Sequence, residues 1–271
     1  MPADARAEAK GARTWRPAVN IVGSATIIAV LVVWQATDAA GLLTFQYIPP
    51  PSGIAAALTD VVRTGELWPP LTHTVTAVLV AWTMATVAGL VLGVTVGLVP
   101  PAWRWTMASV EVLRTLPAVA LVPVALLVFG YSVSTEIIVA AYVALWPVVV
   151  SSALALQSTH PRLIDIARTF RLSRRQRFQK LLLPAAWPQI VVAARLALAL
   201  SLVLVVLTEM VGNPAGLGYA LVREQQALQP ERMWAYLMVI GMLGVALQAG
   251  LNALSRRAFP GLAPQLTTVA R

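Results

Sequence analysis

Six long apolar stretches, separated by short charged segments, dominate this sequence. Most of them approach or exceed the roughly 20 residues that a helix needs to cross a bilayer. They cover residues 17–37, 74–99, 115–129, 137–156, 185–211 and 233–254. Only 11% of all residues are charged, whereas soluble domains have about 25%. We therefore predict an all-α integral membrane protein with six transmembrane helices.

The first stretch also has a second interpretation. Basic residues precede it and Ala39-Ala40-Gly41 follows it, as in a cleaved signal peptide. However, the run is long for a signal peptide and more spans follow. We favour a first transmembrane helix at 17–37 behind a cytoplasmic N-terminal tail at 1–16.

Arginine and lysine are distributed unevenly between the two sides of these spans. One side carries the residues Arg6, Lys10, Arg13, Arg16, Arg104, Arg256, Arg257, Arg271 and a basic block between spans four and five. The other side has only Arg63, Arg223 and Arg232. Because cytoplasmic loops are enriched in basic residues, both termini are expected in the cytoplasm, with a C-terminal tail at 256–271. The net charge is +9, but the basic residues lie between apolar spans. This distribution favours a membrane protein, and we expect no nucleic-acid partner.

The segment 38–72 is expected on the external side. It contains two proline clusters, and Ser52 between them can cap a short helix. Ile54, Leu58 and Val61 follow at nearly helical spacing, which predicts an interfacial helix on the outer surface.

The basic block lies in the segment 158–184, which cannot be placed in hydrocarbon. Leu163, Ala167 and Phe170 recur at helical spacing, which predicts one short amphipathic helix. Ser173 and Gln176 form a capping-box pattern that predicts a second helix, after a bend at 171–173 and before span five begins at Pro184. A basic loop held by anionic lipid headgroups is the alternative. Ordered helices with a protruding bend favour a groove on another protein.

This segment resembles the cytoplasmic signature of permease subunits of binding-protein-dependent ABC importers, in the nitrate, sulfonate and taurine branch. The family pattern is E-A-A, three residues, G, nine residues, I, one residue, L-P. Here Asp165-Ile166-Ala167 is followed after three residues by Arg171 and after nine more by Leu181-Leu182-Leu183-Pro184. Ile166 and Arg171 depart from the alanine and glycine of the pattern.

Further motifs extend the resemblance from about residue 34 to residue 254. Residues 47–52 (YIPPPS) resemble the external F-L-P-x-P-S stretch of this branch, and 65–68 (GELW) its approach to span two. Residues 113–117 (LRTLP), continuing to Pro123, resemble its L-R-P-x-P segment, and 161–164 (PRLI) its D-P-R-L-I sequence.

The resemblance implies a type I ABC importer transmembrane fold, with its core at 73–255, in the cell inner membrane. It also implies import of a small anionic solute of the sulfonate, taurine or nitrate class. The implied partners are ABC ATPase subunits that bind ATP and Mg, an extracytoplasmic solute-binding protein or lipoprotein, a second permease copy in a homodimer, and membrane lipid. The implied ATPase-coupling residues are Asp165, Ile166, Ala167, Phe170, Arg171, Leu172, Leu183 and Pro184.

No nucleotide site is expected in this chain itself. Its only lysines are Lys10 and Lys180, and neither precedes serine or threonine, so it has no Walker A loop. We expect no cofactor and no catalytic residue in this subunit.

Five residues are candidates for the translocation path: Arg114, Pro117, Pro123, Arg195 and Glu209. The two prolines in span three predict either a pore-lining hinge or a packing kink. Arg195 could attract an anion, but snorkelling to the cytoplasmic headgroups is favoured. Glu209 is expected to form a gate or an interhelix hydrogen bond, and Arg114 can pair locally with Glu111.

Gly89, Gly93 and Gly97 form a strip of small residues that allows close helix contact. The contact could lie within one subunit or across a dimer interface, and the pattern leaves both open.

Two other functional classes were compared with the importer subunit. A stand-alone ion-coupled secondary transporter would need acids or polar clusters at midspan, or internal repeats, and the spans show neither clearly. An intramembrane enzyme would need a convergent catalytic set, and His73 and Glu209 look too isolated for one. The chain has no cysteine and only two histidines, so we expect no metal site.

Overall fold

Every described element of the computed structural model is a helix. The structure describes residues 21–42, 47–158, 165, 167 and 169–258. The helices are α1 (Ile21–Ala39), α2 (Pro51–Arg63), α3 (Trp68–Leu98), α4 (Pro100–Arg114), α5 (Ala118–Phe129), α6 (Val133–Gln157), α7 (Arg174–Gly212), α8 (Gly216–Gln226) and α9 (Pro230–Ala258). The predicted tail 1–16 and most of the tail 256–271 lie outside the described residues.

Five helices are long and apolar enough to cross a membrane, namely α1, α3, α6, α7 and α9. The helices α4 and α5 form a sixth candidate span if they are taken together, with a bend of 83° between them. At 1.5 Å per residue, the 12 residues of α5 extend only about 18 Å, too short for a hydrocarbon core of about 30 Å. The predicted third span at 115–129 contains α5, which begins at Ala118, and the bend of 83° leaves α4 nearly perpendicular to it.

Pro117 causes this break. It lies in extended backbone immediately before α5, where its missing N–H and its restriction of the preceding residue end α4. Pro123 lies inside α5 without a break in the assigned helix.

Contacts divide the chain into two units, Met1–Ala56 and Ala57–Arg271. In the first unit, α1 exposes apolar side chains along its length, as expected for a span that contacts lipid. The helix α2 begins at Pro51 rather than after a Ser52 cap, because proline is favoured at the first helical position. The Ser52 N–H donates to Gln35 Oε1 at 3.1 Å instead.

The core of the second unit is built from α3, α6 and α7. Its buried side chains are mostly alanine and valine, among them Ala81, Ala140, Ala144 and Ala197. The glycine strip of α3 packs against α6, and a Cβ on Gly93 would lie only 2.6 Å from the Val149 carbonyl oxygen. The glycine strip therefore serves a contact within this subunit.

A smaller apolar cluster lies at the end of the unit where α3 and α6 begin. It comprises Val61, Leu67, Leu217, Ala220, Tyr236 and Val239. These residues come from α2, α8, α9 and the α2–α3 turn, so the cluster holds the short helix α8 against the long helices. This packing places the first turn of α8 next to the end of α7.

Candidate functional site

The coupling segment (158–184) is partly described. Asp165, Ala167 and Thr169 have helical conformation, and the turn and helix that follow are complete. Leu163 and Ile166 lie outside the described residues, so their predicted roles remain predictions.

Arg171 adopts the backbone conformation that the family glycine would take. Its φ is +47°, in the left-handed region. The Leu172 N–H donates to the Ala167 carbonyl oxygen at 3.0 Å, which is the i to i+5 bond that closes a helix with a left-handed residue after it. The bend is therefore kept without glycine, at a conformational cost of about 1–2 kcal/mol.

The residues after the bend begin α7 directly. Gln176 N donates to Ser173 Oγ at 3.3 Å, and Ser173 N donates to Gln176 Oε1 at 3.0 Å, so the predicted capping box is confirmed. The prediction of a separate short helix ending at Pro184 is wrong. A π-helical turn at Phe178–Leu182 carries the helix past Pro184, whose nitrogen has no hydrogen to donate.

The helix α7 is therefore one rod of 39 residues, about 58 Å long at 1.5 Å per residue. This length exceeds the hydrocarbon core of about 30 Å. Its first turns carry Arg174, Arg175, Arg177 and Lys180 and project beyond the membrane. A displacement of the bend is thus transmitted directly to a membrane span.

The predicted apolar face of the segment is divided in the structure. Ala167 is buried at 3% exposure, whereas Phe170 is 72% exposed at the bend. Leu172 and Leu183 are half-buried, and Pro184 is exposed. Phe170 is therefore the described apolar residue of the bend that is most open to another protein.

Replacing Arg171 with glycine should stabilise the bend. Relief of the left-handed strain, offset by the greater freedom of glycine in the unfolded chain, leaves a gain of about 0.5–1 kcal/mol. Hydrogen–deuterium exchange of a peptide covering Leu172 should slow about two- to five-fold. The control Arg174→Gly, inside the first helical turn, should accelerate exchange instead. Faster exchange in Arg171→Gly would contradict the left-handed bend.

A cavity of about 390 Å³ lies beside the break between α4 and α5. We name it the Arg114 cavity. It is lined by Arg114, Leu116, Tyr142, Val143, Trp146, Pro147, Val150, Ser151, Leu196 and Leu200. These residues belong to the α4–α5 break, α6 and α7, so the cavity lies among the spans, and no acidic residue is among those that line it.

Two of the polar side chains that line the Arg114 cavity have hydrogen-bond partners, and a third has none. Arg114 Nη2 pairs with Glu111 at 2.6 Å on α4, as predicted, and Tyr142 Oη donates to the Leu113 carbonyl at 2.9 Å. Trp146 stacks edge-on against Tyr142 with ring centroids 5.5 Å apart, and its buried Nε1 has no hydrogen-bond partner. A guanidinium and a free indole N–H are donors suited to an anion.

The predicted path residues do not converge on one site. Arg114 lines the cavity, and Pro117 forms the adjacent break, whereas Pro123 and Arg195 are absent from the lining. Arg195 is half-buried on α7, and its carbonyl accepts from Gln248 Nε2 at 3.0 Å. Trp146-Pro147 in span four also predicts either a pore-lining hinge or a packing kink, and both residues line the cavity. Tyr142 was missed, because an aromatic residue in a span is usually a core residue.

Glu209 lies in a separate group of side chains, which we name the polar cluster: His73, Thr74, Glu136, Glu209 and Asn213. Glu209 Oε1 accepts from Thr74 Oγ1 at 2.7 Å, and Oε2 accepts from the Gly218 N–H at 2.8 Å. Thr74 Oγ1 in turn accepts from the Leu217 N–H at 2.9 Å. The predicted interhelix hydrogen bond of Glu209 is confirmed, between α7 and α3.

Glu136 is the second acid of the polar cluster. Its carboxylate lies 3.1 and 3.2 Å from His73 Nε2 and accepts from Asn213 Nδ2. Both glutamates are completely buried. The view of His73 and Glu209 as isolated is therefore wrong, because packing of α3, α6 and α7 brings them together with Glu136.

Comparison with known proteins identifies the chain. Residues 85–260 match the family described as binding-protein-dependent transport system inner membrane component. SsuC of Escherichia coli (strain K12), whose name refers to aliphatic sulfonates transport, is 28% identical over 229 residues, 84% of this chain and 87% of that protein. The taurine transport system permease protein TauC of the same strain is 27% identical over 241 residues, 87% of each protein. The nitrate import permease protein NrtB of Leptolyngbya laminosa is 29% identical over 183 residues, 68% of this chain and 66% of that protein.

A solved structure agrees with these relatives in fold. The MetNI methionine ABC transporter in inward-facing conformations matches with a TM-score of 0.60 and 22% identity, covering 68% of this chain and 92% of the matched chain. The fold is that of a type I ABC importer permease. Because the family match spans more than half of the sequence, the chain belongs to the binding-protein-dependent transport system inner membrane components and is a multi-pass permease subunit of an ABC importer.

Proposed function

We propose that this permease imports a small anion of the sulfonate, taurine or nitrate class through the Arg114 cavity. The observation that carries the proposal is a cavity among the spans whose described lining contains Arg114 and Trp146 and no acidic residue. Arg114 also pairs with Glu111 on α4, and the buried Trp146 Nε1 has no partner. A volume of about 390 Å³ is within the range of small-ligand sites. The names of SsuC, TauC and NrtB support the same class of cargo.

A subunit of this family is a transport subunit and not an enzyme, and it works with a solute-binding protein and a separate ATPase. We propose that the ATPase subunits bind ATP and Mg²⁺, that both termini of the permease are cytoplasmic, and that two copies form a homodimer in membrane lipid. The basic first turns of α7 and the basic end of α9, with Arg256 and Arg257, support the orientation. The exposed apolar side of α5 offers a surface for the second copy.

Transport then follows from the geometry of α7. Closure of the ATPase subunits on ATP moves the bend at Phe170, and the rigid helix transmits this movement to Leu196 and Leu200 in the cavity wall. The wall opens alternately to the two sides, while the guanidinium of Arg114 offsets the charge of the passing anion.

Replacing Arg114 with glutamine should lower uptake at least about ten-fold, because one charge-assisted contact to an anion is worth about 1.5–3 kcal/mol. Trp146→Phe should lower uptake less, since it removes a single neutral donor. The measurement is uptake of labelled taurine, ethanesulfonate and nitrate by proteoliposomes that contain permease, ATPase and binding protein.

Arg63→Gln is the matched control, because it removes the same charge from an exposed position outside the cavity, and its uptake should equal that of the wild type. Undiminished anion uptake by Arg114→Gln would contradict the proposed path. Accumulation by the permease alone under an ion gradient would contradict the ATP-driven mechanism and favour a secondary transporter.

A further inference from the structure

The polar cluster combines two buried carboxyl groups with a single basic side chain. Glu136 and Glu209 are both completely buried. Among the described residues, the only basic side chain within hydrogen-bond distance of either carboxyl group is His73, whose Nε2 lies 3.1 Å from Glu136. Because an ionised carboxylate buried without a counter-charge is strongly unfavourable, the two acids hold either protons or a cation between the helices.

The donor atoms are arranged as a set of metal ligands. One ring nitrogen of His73 and one carboxylate oxygen each of Glu136 and Glu209 lie within 4.8 Å of one another. Two ligands of one transition-metal ion lie at most about 4.2 Å apart, so the side chains must close in by roughly half an ångström. A histidine with two carboxylates suits first-row divalent ions such as Mn²⁺ and Zn²⁺.

Glu209 keeps capacity for an ion while it holds its present hydrogen bonds, whereas His73 Nε2 would exchange its contact with Glu136 for the ion. Each oxygen of an ionised carboxylate accepts two bonds, and each oxygen of Glu209 accepts one from the protein, from Thr74 or Gly218. These bonds orient the carboxylate, as outer-shell partners do in metal sites.

A route from outside reaches the cluster through His73. Its side chain is 19% exposed and lines a second cavity of about 470 Å³, together with Pro214, Gly216, Arg223 and Tyr236.

We propose that His73, Glu136 and Glu209 bind one divalent transition-metal ion, which ties α3, α6 and α7 together at the end where α8 begins. The proposal does not depend on which solute is transported. It assigns the buried acids a structural role, that of fixing the spacing of three spans that must move as a unit when α7 is displaced.

The test uses the full chain, without an affinity tag, in nanodiscs of neutral phosphatidylcholine. Isothermal titration with ZnCl2 and electron paramagnetic resonance with MnCl2 should each report one ion per chain. His73→Gln, which keeps a donor toward Glu136, and Glu136→Gln should each weaken binding at least about ten-fold. His73→Cys should retain Zn²⁺ and lose Mn²⁺, because thiolate is a soft ligand.

The controls are His160→Gln, which removes the other histidine, and Glu231→Gln, which removes an exposed carboxylate; both should bind as the wild type does. Helical content and monodispersity measured on every variant separate loss of the site from loss of the fold. Absence of binding to the wild type, or undiminished binding by His73→Gln, would overturn the proposal. An infrared band of a protonated buried carboxyl that persists at saturating Zn²⁺ would overturn it in favour of a bound proton.

Discussion

Phe170→Asp is expected to abolish ATP-driven uptake while the permease still inserts and folds. Phe170 is 72% exposed at the bend of the coupling segment, so its removal costs the isolated chain little. Burial of this ring in an ATPase groove would contribute about 1.5–3 kcal/mol, and a carboxylate there adds a desolvation penalty. A total loss of about 3–4 kcal/mol corresponds to a fall in affinity of two to three orders of magnitude. Co-purification of the ATPase and uptake by proteoliposomes measure both effects.

Tyr131→Asp is the matched control for this experiment. Tyr131 is also an aromatic residue at 72% exposure, but it lies between α5 and α6, at the opposite ends of the spans from the bend. The same change of charge and size should leave capture of the ATPase unchanged there, whereas Phe170→Leu should retain most of it. If Phe170→Asp captured the ATPase and transported like the wild type, docking through the bend would be refuted. Ala167 is unsuitable for this test, because it is buried within the chain itself.

The bend itself could be predicted from the sequence because its geometry depends on neighbouring residues. The capping box joins Ser173 to Gln176, three positions apart, and the closing bond joins Leu172 to Ala167, five positions apart. Spacing also placed the bend correctly with arginine in the glycine position. The course of α7 beyond it was not predicted, since proline usually marks a helix start and a π-helical turn has no simple sequence signal.

The spans were predictable from hydropathy, but the course of the third was not. A run of apolar residues predicts that a segment lies in the membrane. It does not predict where the helix breaks, because the break at Pro117 depends on the backbone geometry of a single residue. The bend of 83° separates α5 from α4, whose sequence is more polar than a typical span. The Arg114 cavity exists only because of this break, so its aromatic lining could not be foreseen.

The polar cluster was not predicted because its members are far apart in the chain. Thr74 and Glu209 are separated by 135 positions, and His73 and Glu136 by 63. Their meeting depends on the register in which α3, α6 and α7 pack. The glycine strip of α3 indicated a close helix contact without identifying its partner, and the sequence analysis did not consider Glu136.

Gly218→Ala is expected to destabilise the fold, because the added methyl group has no room between α8 and α7. A Cβ at this position would lie 2.3 Å from the Val206 carbonyl oxygen and 2.9 Å from Glu209 Cβ. The first of these is a backbone atom of α7, so α8 must move away to accept the methyl group. Overpacking of this kind costs about 1–3 kcal/mol, which corresponds to a thermal midpoint lower by about 2–12 °C.

The expected loss has a second source, because Gly218 N donates to Glu209 Oε2 and a displaced α8 would leave a buried carboxylate oxygen without its donor. Gly250→Ala in α9 is the control, since a Cβ there meets no atom within 4 Å, and alanine should leave the midpoint unchanged or raise it. Thermal unfolding of both purified variants measures the stability of the whole fold. Binding of Zn²⁺, measured in parallel, reports on the polar cluster alone. Equal midpoints for Gly218→Ala and the wild type would show that α8 does not lie against α7 as described. The hydrogen bond from Gly218 N to Glu209 would then also be refuted.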